Sequence, residues 1–148
     1  MVAARRPSAF PWPDFAAGAT EIQIAIAASG SPYGRTNRRE LLAKAAHGTK
    51  VTAKVSRQFR NVRSRRRLLE GLLAVQEGRS EDAATAFARA TEIADAMHLP
   101  YDRARADLET ARLGRLGEHE RTAALDRAAA SFEALGALDQ LRQVETLR

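Results

Sequence analysis

Apolar residues in the second half of the chain recur at the spacing of one helix face. Ala83, Phe87, Ala90, Ala94 and Met97 follow at steps of four, three, four and three, the period of an α-helix rather than a strand. Ser80 stands ahead of this stripe as an N-cap, and Glu81 and Asp82 put negative charge at the positive end of the helix dipole. His98-Leu99-Pro100 ends the helix, and Pro100 suits the first turn of the next, where its missing N–H costs nothing. A second stripe runs Tyr101, Ala104, Leu108 and Ala111, with Gly117 expected as the residue that closes it. Leu125, Ala128, Phe132 and Leu135 make a third, closed by Gly136. Leu138, Leu141, Val144 and Leu147 predict a terminal capping helix, and Leu68, Leu69, Leu72, Leu73 and Gln76 a short upstream helix ending near Gly78. Five helices on such short turns must run antiparallel to their neighbours. Small residues on the inner stripes let the axes approach, and Phe87 and Phe132 fill the gaps between layers. Helical pairs of this kind cannot bury their apolar faces alone, so they stack.

The first half is patterned differently. Phe10-Pro11-Trp12-Pro13-Asp14 reads as an extended opening punctuated by proline. In residues 15–29, Ile22, Ile24 and Ile26 alternate like a strand, yet the many alanines favour a helix, and a lone strand would have no partner. Asn37 followed by Glu40 resembles a capping box, predicting a short helix over Leu41, Leu42, Ala45 and Ala46 that Gly48 ends. Val51, Val55, Phe59 and Val62 then recur at steps of four, four and three, interleaved with Lys50, Lys54, Arg57, Arg60, Arg63, Arg65, Arg66 and Arg67. This predicts one basic amphipathic helix over residues 50–67.

Gly71, Ala83, Phe87 and Ala90 fall at the spacing of the tetratricopeptide signature, with Gly78 at the turn inside the hairpin. Arg67 stands where that pattern has Trp, Ala74 where it has Tyr and Asp95 where it has Pro. The second unit, Tyr101 to Gly136, is longer: Gly78 and Gly117 are 39 residues apart. With Leu99 to Arg105, Arg115-Leu116-Gly117 and Ser131 to Ala137, residues 68–148 resemble the C-terminal repeat array of large ATP-dependent LuxR-type transcriptional regulators. The expected fold is therefore all-α. Antiparallel helical hairpins stack as a short right-handed tetratricopeptide-like solenoid over residues 67–148. Residues 1–66 form a basic region, an extended opening and then two or three helices, with partial disorder as an open alternative. The resemblance carries over neither ATP hydrolysis nor helix-turn-helix DNA reading. No G-x-x-x-x-G-K-[ST] occurs, and the chain stops at Arg148, where a DNA-binding domain would begin; a fragment or truncated relative is the expectation.

Composition narrows the chemistry. The chain has 148 residues and no cysteine, so disulfides and thiolate metal sites are excluded. No apolar run approaches the roughly 20 residues that span a bilayer, so a cytoplasmic protein without membrane contact is expected. The net charge of +6 is uneven: residues 1–67 carry 14 Lys and Arg against 3 acids, and residues 68–148 carry 10 against 15. The basic stretch predicts either contact with nucleic-acid phosphates or an anionic surface, or a solvated face packed through Val55 and Phe59 with its arginines answering the acids of the repeats. A third reading rests on the lysines, which all fall within residues 44–54 while the other 21 basic residues are Arg: residues 20–66 could derive from a displaced reading frame.

No two of His47, His98 and His119 share an i, i+4 face, and His47 and His98 read as helix-end residues. Glu81, Asp82, Glu92, Asp95, Asp102, Asp107 and Glu109 read as exposed helix faces rather than a general acid and base. No catalytic, cofactor or metal residue is assigned. The leading expectation is a non-catalytic helical-repeat interaction module whose concave face receives a protein or peptide. Two repeats are fewer than an independent array needs, so self-association, or the front half serving as an extra helical layer, is also expected. The alternative is a small nucleic-acid-binding protein using residues 50–67.

Overall fold

The computed structural model describes residues 12–148. Among these residues the chain forms seven α-helices and no strand: α1 (Trp12–Ala28), α2 (Pro32–Val55), α3 (Val62–Gln76), α4 (Ser80–Ala96), α5 (Pro100–Arg112), α6 (Glu118–Ala134) and α7 (Leu138–Glu145). The all-α expectation holds. α1 pairs with α2, α3 with α4 and α5 with α6, and α7 closes the end against α6. Successive hairpins meet through α2 on α3 and α4 on α5, and the odd helices also pack side by side, α1 on α3 and α3 on α5. No comparable packing joins α2 to α4 or α4 to α6 among the described residues. The layer therefore curves, with the odd helices on its inner side and the even helices splayed outside.

The core sits in three clusters along this stack. Ala17, Ile24, Ala45, Leu69 and Leu73 join α1 and α2 to α3. Leu68, Ala74, Ala83, Phe87, Ala90 and Ala106 fill the middle, and Leu108, Leu125, Ala128, Phe132 and Val144 fill the far end. Leu72 packs against both of the first two clusters. Tyr101 meets Phe132 edge to face, ring centroids 5.9 Å apart. Leu69, Phe87, Leu108 and Phe132 are fully buried, each such burial being worth about 1.5–3 kcal/mol. Ala83, Phe87, Ala90 and Ala94 of α4 and Ala104, Leu108 and Ala111 of α5 are thus core, while Met97 and Tyr101 are only half-buried and Leu135 and Leu138 are exposed.

Three helix ends close with the same backbone device. Arg79 N–H donates to Ala74 O, Leu99 N–H to Ala94 O and Ala137 N–H to Phe132 O, at 2.8–2.9 Å. Each bond spans the helix end around a left-handed residue, Gly78, His98 or Gly136. The equivalent of Gly78 in the next hairpin is Gly114, 36 residues on with φ +71°. Gly117, expected in that role, is instead the N-cap of α6 in an extended conformation. The N-cap of α4 likewise falls on Arg79, with Ser80 the first helical residue.

The first half departs most from expectation. α1 is a helix, as its alanines implied, but it also takes in Trp12, Pro13 and Asp14, expected as part of an extended opening; Phe10 and Pro11 lie outside the described residues. Asn37 caps nothing. α2 starts earlier, at Ser31, whose hydroxyl accepts from Gly34 N–H at 3.0 Å, with Pro32 in the first turn; Asn37 donates to Tyr33 O inside the helix. Gly48 does not end α2 either. Its missing side chain lets α1 cross closely, since a Cβ there would lie 2.1 Å from Thr20 Oγ1. His47 is accordingly a mid-helix residue.

The single basic helix over 50–67 is also broken. α2 stops at Val55 and α3 starts at Val62, and residues 56–61 turn through i to i+3 bonds such as Gln58 N–H to Val55 O and Val62 N–H to Phe59 O. The buried positions explain it. Thr49, Thr52 and Ser56 face the core on one side of the turn and Val62 and Ser64 on the other, while Phe59 is 49% exposed. The Val51–Val55–Phe59 stripe is not the buried one. A domain break at 66/67 would cut α3, and α1 and α2 share a core with α3, so the first half is the extra helical layer.

The α3–α4 crossing resembles the α1–α2 one: a Cβ on Gly71 would lie 2.3 Å from Cε1 of the buried Phe87 ring. Gly71→Ala is expected to lower stability by about 1–3 kcal/mol through overpacking. Gly18→Ala, at a mid-helix site with nothing within 4 Å, should raise it by about 0.5–1 kcal/mol. Urea unfolding of both variants checks the pair; equal effects would contradict the packing.

Candidate functional site

Asp107 and Glu109 of α5 are each 5% exposed, contrary to the expectation of a solvated face. α5 is surrounded by α3, α4 and α6, so little of its circumference meets water. Asp107 accepts from Arg103 Nε at 3.1 Å and from Arg127 at 3.0 Å. Glu109 accepts from Arg112 through both oxygens, at 2.9 and 3.0 Å. Arg105 reaches past α3 to Glu21 of α1 at 2.5 Å and lies 3.7 Å from Glu109. Arg112 donates to Gln143 of α7 at 3.1 Å. The line Glu21, Arg105, Glu109, Arg112, Gln143 thus ties α1, α5 and α7 together. Arg105 and Glu109 stand 36 residues after Leu69 and Leu73, so the second hairpin carries ions where the first carries core leucines.

Burial pulls the Arg105 guanidinium down, but Glu21 and then Glu109 outweigh it and hold the group above its ordinary range. Burial raises the Glu109 carboxyl against the opposing pull of Arg112 and Arg105. The folded chain therefore holds that proton more tightly than the unfolded chain does. The resulting stabilisation is full below the ordinary carboxylate range and is lost as pH rises through the raised value. Glu109→Gln cannot ionise, so its melting temperature relative to the unsubstituted chain should climb between about pH 4 and pH 7. Thermal melts across that range check this; a flat or falling difference would contradict it.

Open space lies on the outer side, between the splayed even helices. One groove of about 510 Å³ runs between α2 and α4 over α3, lined among others by Thr49, Arg67, Glu70, Asp82 and Arg89. A second of about 640 Å³ runs between α4 and α6 over α5, lined by residues including Ala84, Ala88, Thr91, Arg103, Ala123 and Arg127. The two are lined at corresponding places: Arg67 and Arg103 are 36 residues apart, and each pairs with an acid one turn on, Glu70 at 2.8 Å and Asp107 at 3.1 Å.

The eight basic residues of the sequence reading divide at the break. Lys50 and Lys54 lie exposed on α2, Arg57 and Arg60 exposed in the turn, and Arg63 exposed on α3, where its Nε donates to Ser56 O at 3.2 Å. Arg65, Arg66 and Arg67 are half-buried on α3. Arg66 and Arg67 both pair with Glu70 at 2.8 Å. Among the described residues Lys50, Lys54, Arg57, Arg60 and Arg63 make no ion pair, so the acids of the repeats do not answer them. Arg57, Arg63, Arg66 and Arg67 line one hollow of about 200 Å³ with Ser56 and Ile93. The sequence missed the exposure of Phe59 on this turn; the proline-free, glycine-free stretch 56–61 gave no sign of a break.

The histidines do not meet: His47, His98 and His119 are exposed and line separate hollows. Among the described residues no group of His, Asp and Glu could hold a metal ion, and no helix is long and apolar enough to cross a membrane. Comparison of the chain with protein-family models, with curated proteins and with solved structures finds no match to any of them.

Proposed function

We propose that the protein is a non-catalytic helical-repeat interaction module acting in the cytoplasm, which binds a segment of another protein in its outer grooves. The repetition of those grooves carries the reading. Two hollows of similar size recur at the 36-residue spacing, each floored by an odd helix and edged by an Arg–acid pair. Repeated surfaces of this kind suit an extended or helical partner that contacts successive hairpins. The inner side is the weaker candidate, because the Glu21–Arg105–Glu109 line spans it. The Gly71–Phe87 crossing and the turn at Gly78 support a tetratricopeptide-like arrangement, and the resemblance to LuxR-type repeat arrays adds a regulatory assembly as the setting.

Ala88 is exposed within the α4–α6 groove, so Ala88→Arg fills the groove without entering the core. Proximity labelling in the producing cell should identify protein neighbours of the unsubstituted chain whose labelling falls about tenfold or more with Ala88→Arg, at unchanged circular dichroism. Identical neighbours at equal yield would contradict the groove reading.

A further inference from the structure

The turn between α2 and α3 has a surface that the scaffold reading does not use. Every other turn among the described residues contains a left-handed residue; this one does not, and basic residues flank it on both sides, Lys50 and Lys54 in α2 and Arg63, Arg65, Arg66 and Arg67 in α3. Phe59 sits on it, 49% exposed, with Arg57 and Arg60 beside it in the chain. Phe87 and Phe132 are fully buried whereas Phe59 is not, and Val55, whose carbonyl accepts from Phe59 N–H, is only half-buried. Arg57, two residues before Phe59 in the chain, lines a hollow with Arg63, Arg66 and Arg67, without an acid in its wall. Three of its four guanidinium groups are held in place from the protein side. Arg63 is anchored on Ser56 O, and Arg66 and Arg67 on Glu70, which leaves the remaining N–H donors of each free to turn to a ligand. About 200 Å³ is room for one tetrahedral oxyanion and too little for a nucleoside. Lys50 and Lys54 lie one turn apart on one face of α2, and Arg57 follows in the turn that leads to that hollow.

We infer that this turn binds single-stranded nucleic acid, with one backbone phosphate in the arginine hollow, neighbouring phosphates along Lys50 and Lys54, and an unstacked base on Phe59. An isolated phosphoryl group on a peptide would need the hollow alone. The uncompensated charge continues beyond it, and an exposed ring beside arginine is what a base offers its π-face to. A duplex keeps its bases stacked and inaccessible to such a ring. The surface is separate from the proposed grooves at Arg57, Phe59 and Arg63, so either reading can fail without the other.

The test is fluorescence anisotropy of the full chain with labelled probes: a short single-stranded thymidine oligonucleotide, a mixed-sequence RNA, the same DNA as a duplex, and a phosphoserine peptide. The single strands should bind tightest, with log K falling against log salt at a slope of about −2, as for three phosphates on a single strand. Phe59→Ala should weaken single-strand binding about tenfold at unchanged slope, and Phe59→Trp should keep it. Arg57→Gln with Arg63→Gln should reduce the slope by about one. Tighter binding of the phosphopeptide or of the duplex would overturn the inference. So would indifference of the single strand to Phe59→Ala, or no oligonucleotide binding at low salt.

Discussion

Helices with few large side chains can exclude water only by lying very close together. Aromatic residues make up 5% of this chain, and alanine dominates the buried positions of α4, α5 and α6. Dispersion contacts are lost quickly with distance, so the first two hairpins each use a point where one backbone has no side chain in the way. α1 crosses α2 where Gly48 admits Thr20, and α3 crosses α4 where Gly71 admits Phe87. From these crossings the rest follows. Close pairs make flat hairpins, flat hairpins stack, and the odd helices touch each other while the even helices splay and leave grooves.

α5 shows what happens when the spacing is kept but the side chains change. Leucines in α3 become Arg105 and Glu109 in α5, and the curvature brings Glu21 of α1 within reach of them. A buried ion line of this kind adds little net stability compared with leucines. It links helices distant in the chain: α1 to α5 through Glu21 and Arg105, and α5 to α7 through Arg112 and Gln143. Arg105 Nε nonetheless stays buried without a partner.

The second half was largely legible because its stripes, its prolines and its turn residues agree with one another. Ala83, Phe87, Ala90 and Ala94, and Ala104, Leu108 and Ala111, are core as their spacing implied. The errors there came from assigning turns by glycine alone, where Gly114 and Gly117 compete and only the backbone conformation decides. In the first half, glycine misled for a different reason: Gly48 serves a crossing, not an end, and nothing local to the sequence distinguishes the two. The basic segment was misread because a helical stripe of Val and Phe looks like a core face. The buried face is instead built from Thr49, Thr52 and Ser56, whose hydroxyls donate to carbonyls of their own helix, Ala45, Gly48 and Ala53. The burial of Asp107 and Glu109 depends on neighbours far along the chain, which no local pattern reports.

The first hairpin shares its core with α3 and belongs to one cooperative stack with the helices that follow, rather than hanging on them as an appendage. Native-state hydrogen exchange measures this directly, because it gives an opening free energy for each helix. The amides around Ile24 in α1 and Ala45 in α2 should exchange with the same opening free energy, and the same denaturant dependence, as those around Leu108 in α5. Exchange of α1 and α2 at much lower free energy, while α3 to α6 stay protected, would contradict it.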